Sequence, residues 1–352
     1  MSQAVRLVFL ALAALTLLLV VGLFVFRLSR EARERREAVS QAALRTEVFT
    51  ALLGDDEESV EARDALRART GGAWDEFEEQ AFAMIPKIKG DAREELIALL
   101  LSRGASVRAM TNTRARSYVR RARGAYQLGA LGQRDAVGAL VGLLTDGSFL
   151  VRRLAVRALG QVGDPAAVTP MLDAAERDPE LTRDVTVALV RVGLPSAPQL
   201  RADLDISLHT PGHRRRGSIA ARALGMIGDV GAVPVLKAVL DEEDAGSLRW
   251  AAASALGEIG VPEAVPVLLR VLGEEDPGLQ VAAGRALGAI GDPVAVPGLA
   301  RALRDPDRNH DSARAVAGAL RRIGGDGLLE LEGSDSVYAA EALALQLARQ
   351  GS

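Results

Sequence analysis

Hydrophobic positions fall into three regimes along the chain. Leu7 to Phe26 is a run of 20 residues without a charge. Over residues 27–113 apolar residues keep helical spacing in segments of uneven length, punctuated by Gly54, Gly71-Gly72 and Pro86. Over 114–336 a single phrase returns: an amphipathic run ending Leu-Gly, two residues, a second Gly, a short polar turn, then Ala-Val-Pro-x-Leu. Tyr126 to Gly132 and Arg157 to Gly163 are the first clear copies. The closing glycines are Gly132, Gly163, Gly193, Gly228, Gly260, Gly291 and Gly324, at intervals of 31, 30, 35, 32, 31 and 33 residues. Composition alone does not produce that register.

Each part of the phrase has a physical reason. Ala and Leu at helical spacing, as in Ala155, Ala158 and Leu159, let neighbouring helices approach closely. The closing glycine takes the left-handed conformation that ends a helix. Asp164, Asp229 and Asp292 follow directly, where a carboxylate caps a second helix, and Pro165 and Pro293 fit its first turn. The prolines at 170, 234, 266 and 297 are expected to bend or shorten that second helix. Leu172, Leu236, Leu268 and Leu299 then resume the apolar stripe. A lone hairpin cannot bury both faces, so the units must stack. The predicted fold is all-α: an α-solenoid of stacked helical hairpins, about seven in number, preceded by one transmembrane helix, with residues 337–352 as a capping helix.

Leu287 to Leu299 resembles the bacterial HEAT-repeat class related to phycobilisome lyases, and the likeness covers roughly residues 115–325. That resemblance implies a HEAT-like superhelix and leaves function open, since such repeats serve scaffolds, adaptors and some enzymes. Two units depart from the pattern. In the third, Val190 replaces the first glycine, Leu194-Pro195 replaces Asp-Pro, and an inserted stretch, Ile206 to Arg216, reads as a loop. In the seventh, Arg321 occupies the first glycine position.

At ~1.5 Å rise per residue the 7–26 run matches a bilayer core about 30 Å thick. Arg27-Leu28-Ser29-Arg30 replaces a small-x-small cleavage site, which favours an uncleaved anchor over a signal peptide. Arg6 alone precedes the run within the 1–6 tail, whereas Arg27, Arg30, Arg33, Arg35 and Arg36 follow it. The positive-inside rule then places the C-terminal bulk in the cytoplasm, at a bacterial inner membrane. Residues 27–113 read as a helix leaving the membrane and degenerate hairpins leading into the array; the alternative is a small helical domain with its own core.

Composition narrows the chemistry. There is no cysteine, which removes disulfides, thiolate metal sites and thiol nucleophiles. Only Lys87, Lys89 and Lys237 of the 43 basic residues are lysine, a bias that fits a GC-rich bacterial genome. A net charge of −3 and the lack of a basic domain argue against a dedicated nucleic-acid binder. Even so, no acidic residue lies between Leu96 and Arg134, a stretch holding Arg103, Arg108, Arg114, Arg116, Arg120, Arg121, Arg123 and Arg134. Such a block suits anionic headgroups, an acidic partner or, less well, nucleic acid; the competing reading is a solvated face whose arginines pair with aspartates of the next repeat.

His209 and His213, with Arg214, Arg215 and Arg216, form a second candidate contact region. Pro211 and Gly212 place the two histidines on a loop, and no carboxylate lies between them to complete a metal set. His310 reads as a turn residue. HEAT-like hydroxylases carry repeated His-Glu pairs for two irons, and no His-Glu dipeptide occurs here. No nucleotide loop or nucleophile–base set is visible either. No catalytic residue, metal or cofactor is therefore expected. The expected function is a membrane-tethered scaffold that grips a protein in a groove of stacked second helices. By resemblance only, the partner is a membrane enzyme such as a glycosyltransferase. The alternatives are a phycobilin-lyase-like enzyme acting on a tetrapyrrole-like ligand and an anionic-lipid or nucleic-acid binder built on residues 103–134.

Overall fold

The computed structural model describes residues 70–350 continuously, with Arg27, Thr50, Glu61, Asp64, Ala65, Leu66 and Ala68 before them. The 7–26 run lies outside the described residues. Among the described residues there is no strand, and no helix is long and apolar enough to cross a membrane.

The chain divides into two compact units at Ala105/Ser106. In the first, α1 (Gly72–Met84) ends in a 3-10 turn, Ile85–Lys87, where Pro86 cannot continue an α-helix, and α2 (Asp91–Ser102) follows. Phe77, Phe82, Ile85, Leu96 and Leu100 are buried, and the Arg103 guanidinium lies 4.4 Å over the Trp74 ring. The division falls after the first residue of α3 (Ala105–Thr113).

The second unit is a helical solenoid. Its first helices are α4 (Tyr118–Leu131), α6 (Phe149–Val162), α8 (Thr182–Val192), α10 (Arg214–Ile227), α12 (Ser247–Ile259), α14 (Pro277–Ile290) and α16 (His310–Ile323). Each alternates with a second helix: α5 (Val137–Gly142), α7 (Val168–Arg177), α9 (Ala197–His209), α11 (Val233–Asp241), α13 (Val265–Leu272), α15 (Val296–Leu303) and α17 (Asp326–Glu332). The final helix, α18 (Val337–Gln350), buries Ala339 and Ala342.

The seven closing glycines all have φ between +66° and +79°. Five of them are fully left-handed, while Gly193 and Gly324 pair that φ with ψ of −153° and −162°. Those two close the hairpins whose phrase decays, at Gly193-Leu194-Pro195 and Gly324-Gly325. After every closing glycine except Gly324 a 3-10 turn precedes the second helix. Asp164 and Asp292 cap that turn, accepting from the Ala166 and Val294 amides at 2.9 Å each. Asp229 departs from the expected role: it makes no side-chain cap, because Arg201 of the preceding hairpin draws its carboxylate into an ion pair at 3.1 Å. The prolines also need correction. Pro170, Pro234, Pro266 and Pro297 lie in the first turn of α7, α11, α13 and α15, where amides have no intrahelical acceptor, so they start helices rather than bend them. The inserted stretch is no loop: residues 206–209 lengthen α9 to 13 residues, 211–213 form a 3-10 turn, and Arg214 opens α10. His310 opens α16 rather than sitting in a turn, behind Asn309, whose side chain caps the Asp311 amide at 2.9 Å.

The first glycine of each phrase sets the distance between layers. A Cβ on Gly129 would lie 2.6 Å from the Ala158 Cα, and Gly160, Gly225, Gly257 and Gly288 meet Ala188, Ala255, Ala286 and Ala319 in the same way. The motif Ala-Leu-Gly is thus a two-sided joint: its Ala receives the previous helix, its Gly admits the next, and its Leu is fully buried. The ends of the series differ. Gln127 stands in the Ala position of the first unit, and Arg321 in the Gly position of the last. Not every helical glycine carries such a constraint. Gly318 in α16 has nothing within 4 Å of an added Cβ, so Gly318→Ala should stabilise by about 0.5–1 kcal/mol through helix propensity. Its thermal midpoint should rise by roughly 1–4 °C.

Candidate functional site

The solenoid's arginines divide into structural and free sets. A first helix starts beside the end of the preceding element, where carbonyls lack intrahelical donors. An arginine near its start meets them: Arg121 donates to the Ala115 and Arg116 carbonyls at 3.0 and 2.8 Å, Arg152 to Asp146 O at 2.8 Å, and Arg249 to Leu240 O at 3.1 and 2.7 Å. Each then pairs with an acid just before the next first helix: Arg121–Asp146 at 2.6 Å, Arg152–Asp178 and Arg249–Glu274 at 2.7 Å. Buried Arg308 donates to the Ala302 and Leu272 carbonyls at 2.7 and 3.2 Å, and that burial lowers its pKa.

Arg121, a candidate contact from the sequence, is therefore the first rung of a structural ladder. Its hydrogen bond, helped by the Ser148 amide and opposed by burial, holds the Asp146 carboxyl below its usual range. A depressed carboxylate stabilises the fold above its unfolded pKa of about 4, and the gain is lost as pH falls through the lower folded value. Arg121→Met should lower the thermal midpoint at neutral pH and flatten its decline between roughly pH 4 and 2, read by a melting series across pH.

The other candidates scatter. Arg114, Arg116 and Arg120 are exposed and have no ion pair among the described residues; Arg123 is exposed as well. His209 sits at the end of α9 with Nδ1 2.9 Å from the Asp205 carbonyl, and His213 Nδ1 is 3.9 Å from Glu176. Arg214 is half-buried and Arg215 exposed, at the start of α10. Arg216 is no surface contact: it is buried between Asp203 and Asp173.

A different set of residues converges on one place. A cleft of about 660 Å³ opens on the first-helix face across α4, α6 and α8. Leu154, Ala158 and Ala188 line it, the alanines being the ones admitted by Gly129 and Gly160. Arg153 and Arg157 stand one turn apart on α6, and Arg183, Val187 and Arg191 run along α8 at successive turns. Asp184 accepts from Arg153 Nε at 3.0 Å and from Arg157 Nε at 2.9 Å. Arg183 and Arg191 are exposed and have no ion pair or hydrogen bond among the described residues. Four guanidinium groups and one carboxylate thus line the cleft, and only Arg153 and Arg157 engage that carboxylate. Tyr126 of α4 completes the wall, and burial pushes its phenol pKa up.

None of these arginines stood out in the sequence, because every first helix carries at least one. Repeat alignment could have found them. Ten, six and two residues before the closing glycine, the second unit reads Arg153, Arg157, Gln161 and the third Arg183, Val187, Arg191.

This second unit is an α-solenoid of stacked hairpins. The repeats themselves are HEAT repeats, matched over residues 111–190 and 244–321, with a PBS lyase HEAT-like repeat over 218–242. No curated protein matches the chain. Among solved structures it is similar to human deoxyhypusine hydroxylase in complex with glycerol, at 20% identity over 81% of this chain and 97% of that one, TM-score 0.32. It is also similar to the complex of CpcE and CpcF of phycocyanin lyase from a Nostoc species, at 23% identity over 70% and 88%, TM-score 0.31. A third similarity is to the karyopherin Kap121p bound to the extreme C-terminus of the protein phosphatase Cdc14p, at 12% identity over 86% and 45%, TM-score 0.41.

Proposed function

We propose that this HEAT-repeat solenoid is a scaffold that binds a protein partner, held at the cytoplasmic face of a bacterial inner membrane by residues 7–26. The observation that carries the binding function is the first-helix cleft. Many arginines of the array are consumed by carbonyls and acids of the fold, whereas in this cleft Arg183 and Arg191 face solvent beside exposed Val187 with no such bond among the described residues. The expected groove of second helices gives way in this proposal to the cleft on the first helices. Support for the tether is the uncharged 20-residue run and the arginines that follow it.

Photo-leucine crosslinking in intact cells followed by mass spectrometry tests the scaffold function. A discrete protein adduct is expected, a membrane enzyme such as a glycosyltransferase fitting the tether best. A dominant metabolite or chromophore adduct would remove the scaffold in favour of an enzyme acting on a bound small molecule. Topology has its own check: a Ser352→Cys chain should resist an impermeant thiol reagent in whole cells, and rapid labelling would put the array on the other side.

A further inference from the structure

We infer that the α4–α6–α8 cleft receives an acidic helical segment of the partner, with carboxylates flanking an apolar residue in register with Arg183, Val187 and Arg191. This inference rests on the scaffold function proposed above and names the chemistry of the partner at that site.

The row on α8 sets the register. Arg183 and Arg191 are eight residues apart, so their helix positions are about 12 Å apart with Val187 midway. An acid–apolar–acid row at successive turns of a partner helix has the same repeat. Laid alongside α8, it brings each carboxylate to a guanidinium and its apolar side chain to Val187, which is 50% exposed, and toward Leu154 on the cleft floor. Guanidinium groups suit carboxylates because their planar fork gives two parallel N–H···O bonds.

Features of the same cleft disfavour a phosphate ligand. Asp184 already sits among the arginines and repels a doubly charged phosphate more than a single carboxylate. The apolar Val187 between the two free arginines has no role in holding a run of phosphates. Among the described residues Tyr126 is the sole aromatic lining the cleft, too little for the successive base stacking of single-stranded nucleic acid.

The test uses the full-length chain in detergent micelles and a fluorescein-labelled, alanine-rich helical peptide carrying Glu, Leu and Glu at successive turns. Fluorescence polarisation should show binding that weakens as salt rises from about 50 to about 300 mM. Replacing both peptide Glu with Gln, or making Arg183→Glu with Arg191→Glu, should each cost about tenfold or more in affinity. A Lys-for-Glu peptide should recover binding to the doubly reversed chain. Both arginines are exposed, so the variant should keep its thermal midpoint, and Val187→Asp provides a second variant that should also weaken binding. Equal affinity for the Glu and Gln peptides, or no effect of the double reversal, would overturn the inference. So would a polyuridine oligonucleotide or tripolyphosphate that binds more tightly than the Glu peptide with the same dependence on Arg183 and Arg191. A protein adduct in cells combined with a failed peptide assay would sink the acidic chemistry alone; a small-molecule adduct would sink the scaffold itself.

Discussion

Arg216→Ala should cost about 3–5 kcal/mol, the range for breaking a buried ion pair by removing one partner. Arg216 Nη2 lies 2.6 Å from Asp203 Oδ1, with both side chains only 9% exposed, and a second nitrogen reaches Asp173. Burial lowers the pKa of this guanidinium, but the bonds to Asp203 and Asp173 outweigh it and hold the group above its usual value. Truncation leaves Asp203 charged, buried and facing the space vacated by its partner. The thermal midpoint should fall by about 10 °C or more on the scale of a unit this size. A second variant separates the pair from the packing. Arg216→Met with Asp203→Leu removes both charges and should recover most of the loss, because the desolvation cost disappears with the attraction. A single Arg216→Ala within about 1 kcal/mol of wild type would show that water already reaches this pair. The pair also explains the inserted residues. The extra turn of α9 carries Ser207, whose Cβ would lie 2.6 Å from a Cβ on Gly217, next to Arg216 on α10. At this junction α8 presents Val190 in place of the joint glycine, so an ion cluster and a lengthened helix stand where Gly-on-Ala contact joins the other layers.

Gly257→Val is expected to be the other severe change. A Cβ at 257 would lie 2.6 Å from the Ala286 Cα and 2.7 Å from its Cβ, and a backbone atom in a packed helix cannot swing aside. Alanine gains up to about 1 kcal/mol of helix propensity, against roughly 1–3 kcal/mol of overpacking, so Gly257→Ala should be a net loss. Valine adds two methyl groups to the same contact and should cost about 3 kcal/mol or more. In a solenoid each layer is held mainly by its neighbours, so forcing α12 from α14 should uncouple the layers on either side. Calorimetry on the variant should show a broadened or split transition where wild type shows one. Gly318→Ala, which gains the same propensity without the contact, is the matched control. A Gly257→Val chain that melts like wild type would mean that the layers do not meet through this joint.

The fold was legible because its joints are chemical punctuation. The closing glycines marked seven hairpins, and the Leu-Gly pairs marked the residues through which they touch. Val190 and Arg321 already stood out as breaks. Other features depend on context that periodicity does not carry. Arg214, Arg215 and Arg216 are identical in type and adjacent, yet helical rotation buries the last and leaves the second exposed. Asp164, Asp229 and Asp292 occupy one repeat position, and an arginine from the preceding hairpin takes Asp229 out of the capping role. The cleft was hidden for a related reason. Its arginines come from two different repeats, and the 103–134 block drew attention by lacking acids in sequence. In space Arg121 of that block is neutralised by Asp146, while Arg183 and Arg191, close to Asp184 along the chain, have no ion pair among the described residues because that carboxylate is turned to Arg153 and Arg157.

A photoreactive residue placed singly at Val187 or at Ala238, followed by crosslinking in intact cells, tests most directly that this solenoid works by gripping a protein on its first-helix face. Val187 lines the cleft, and Ala238 is exposed on second helix α11. A defined protein adduct from position 187, weakened by Arg183→Glu with Arg191→Glu and lacking from position 238, is the predicted result. An adduct from position 238 with none from 187 would place the partner on the second helices and contradict it.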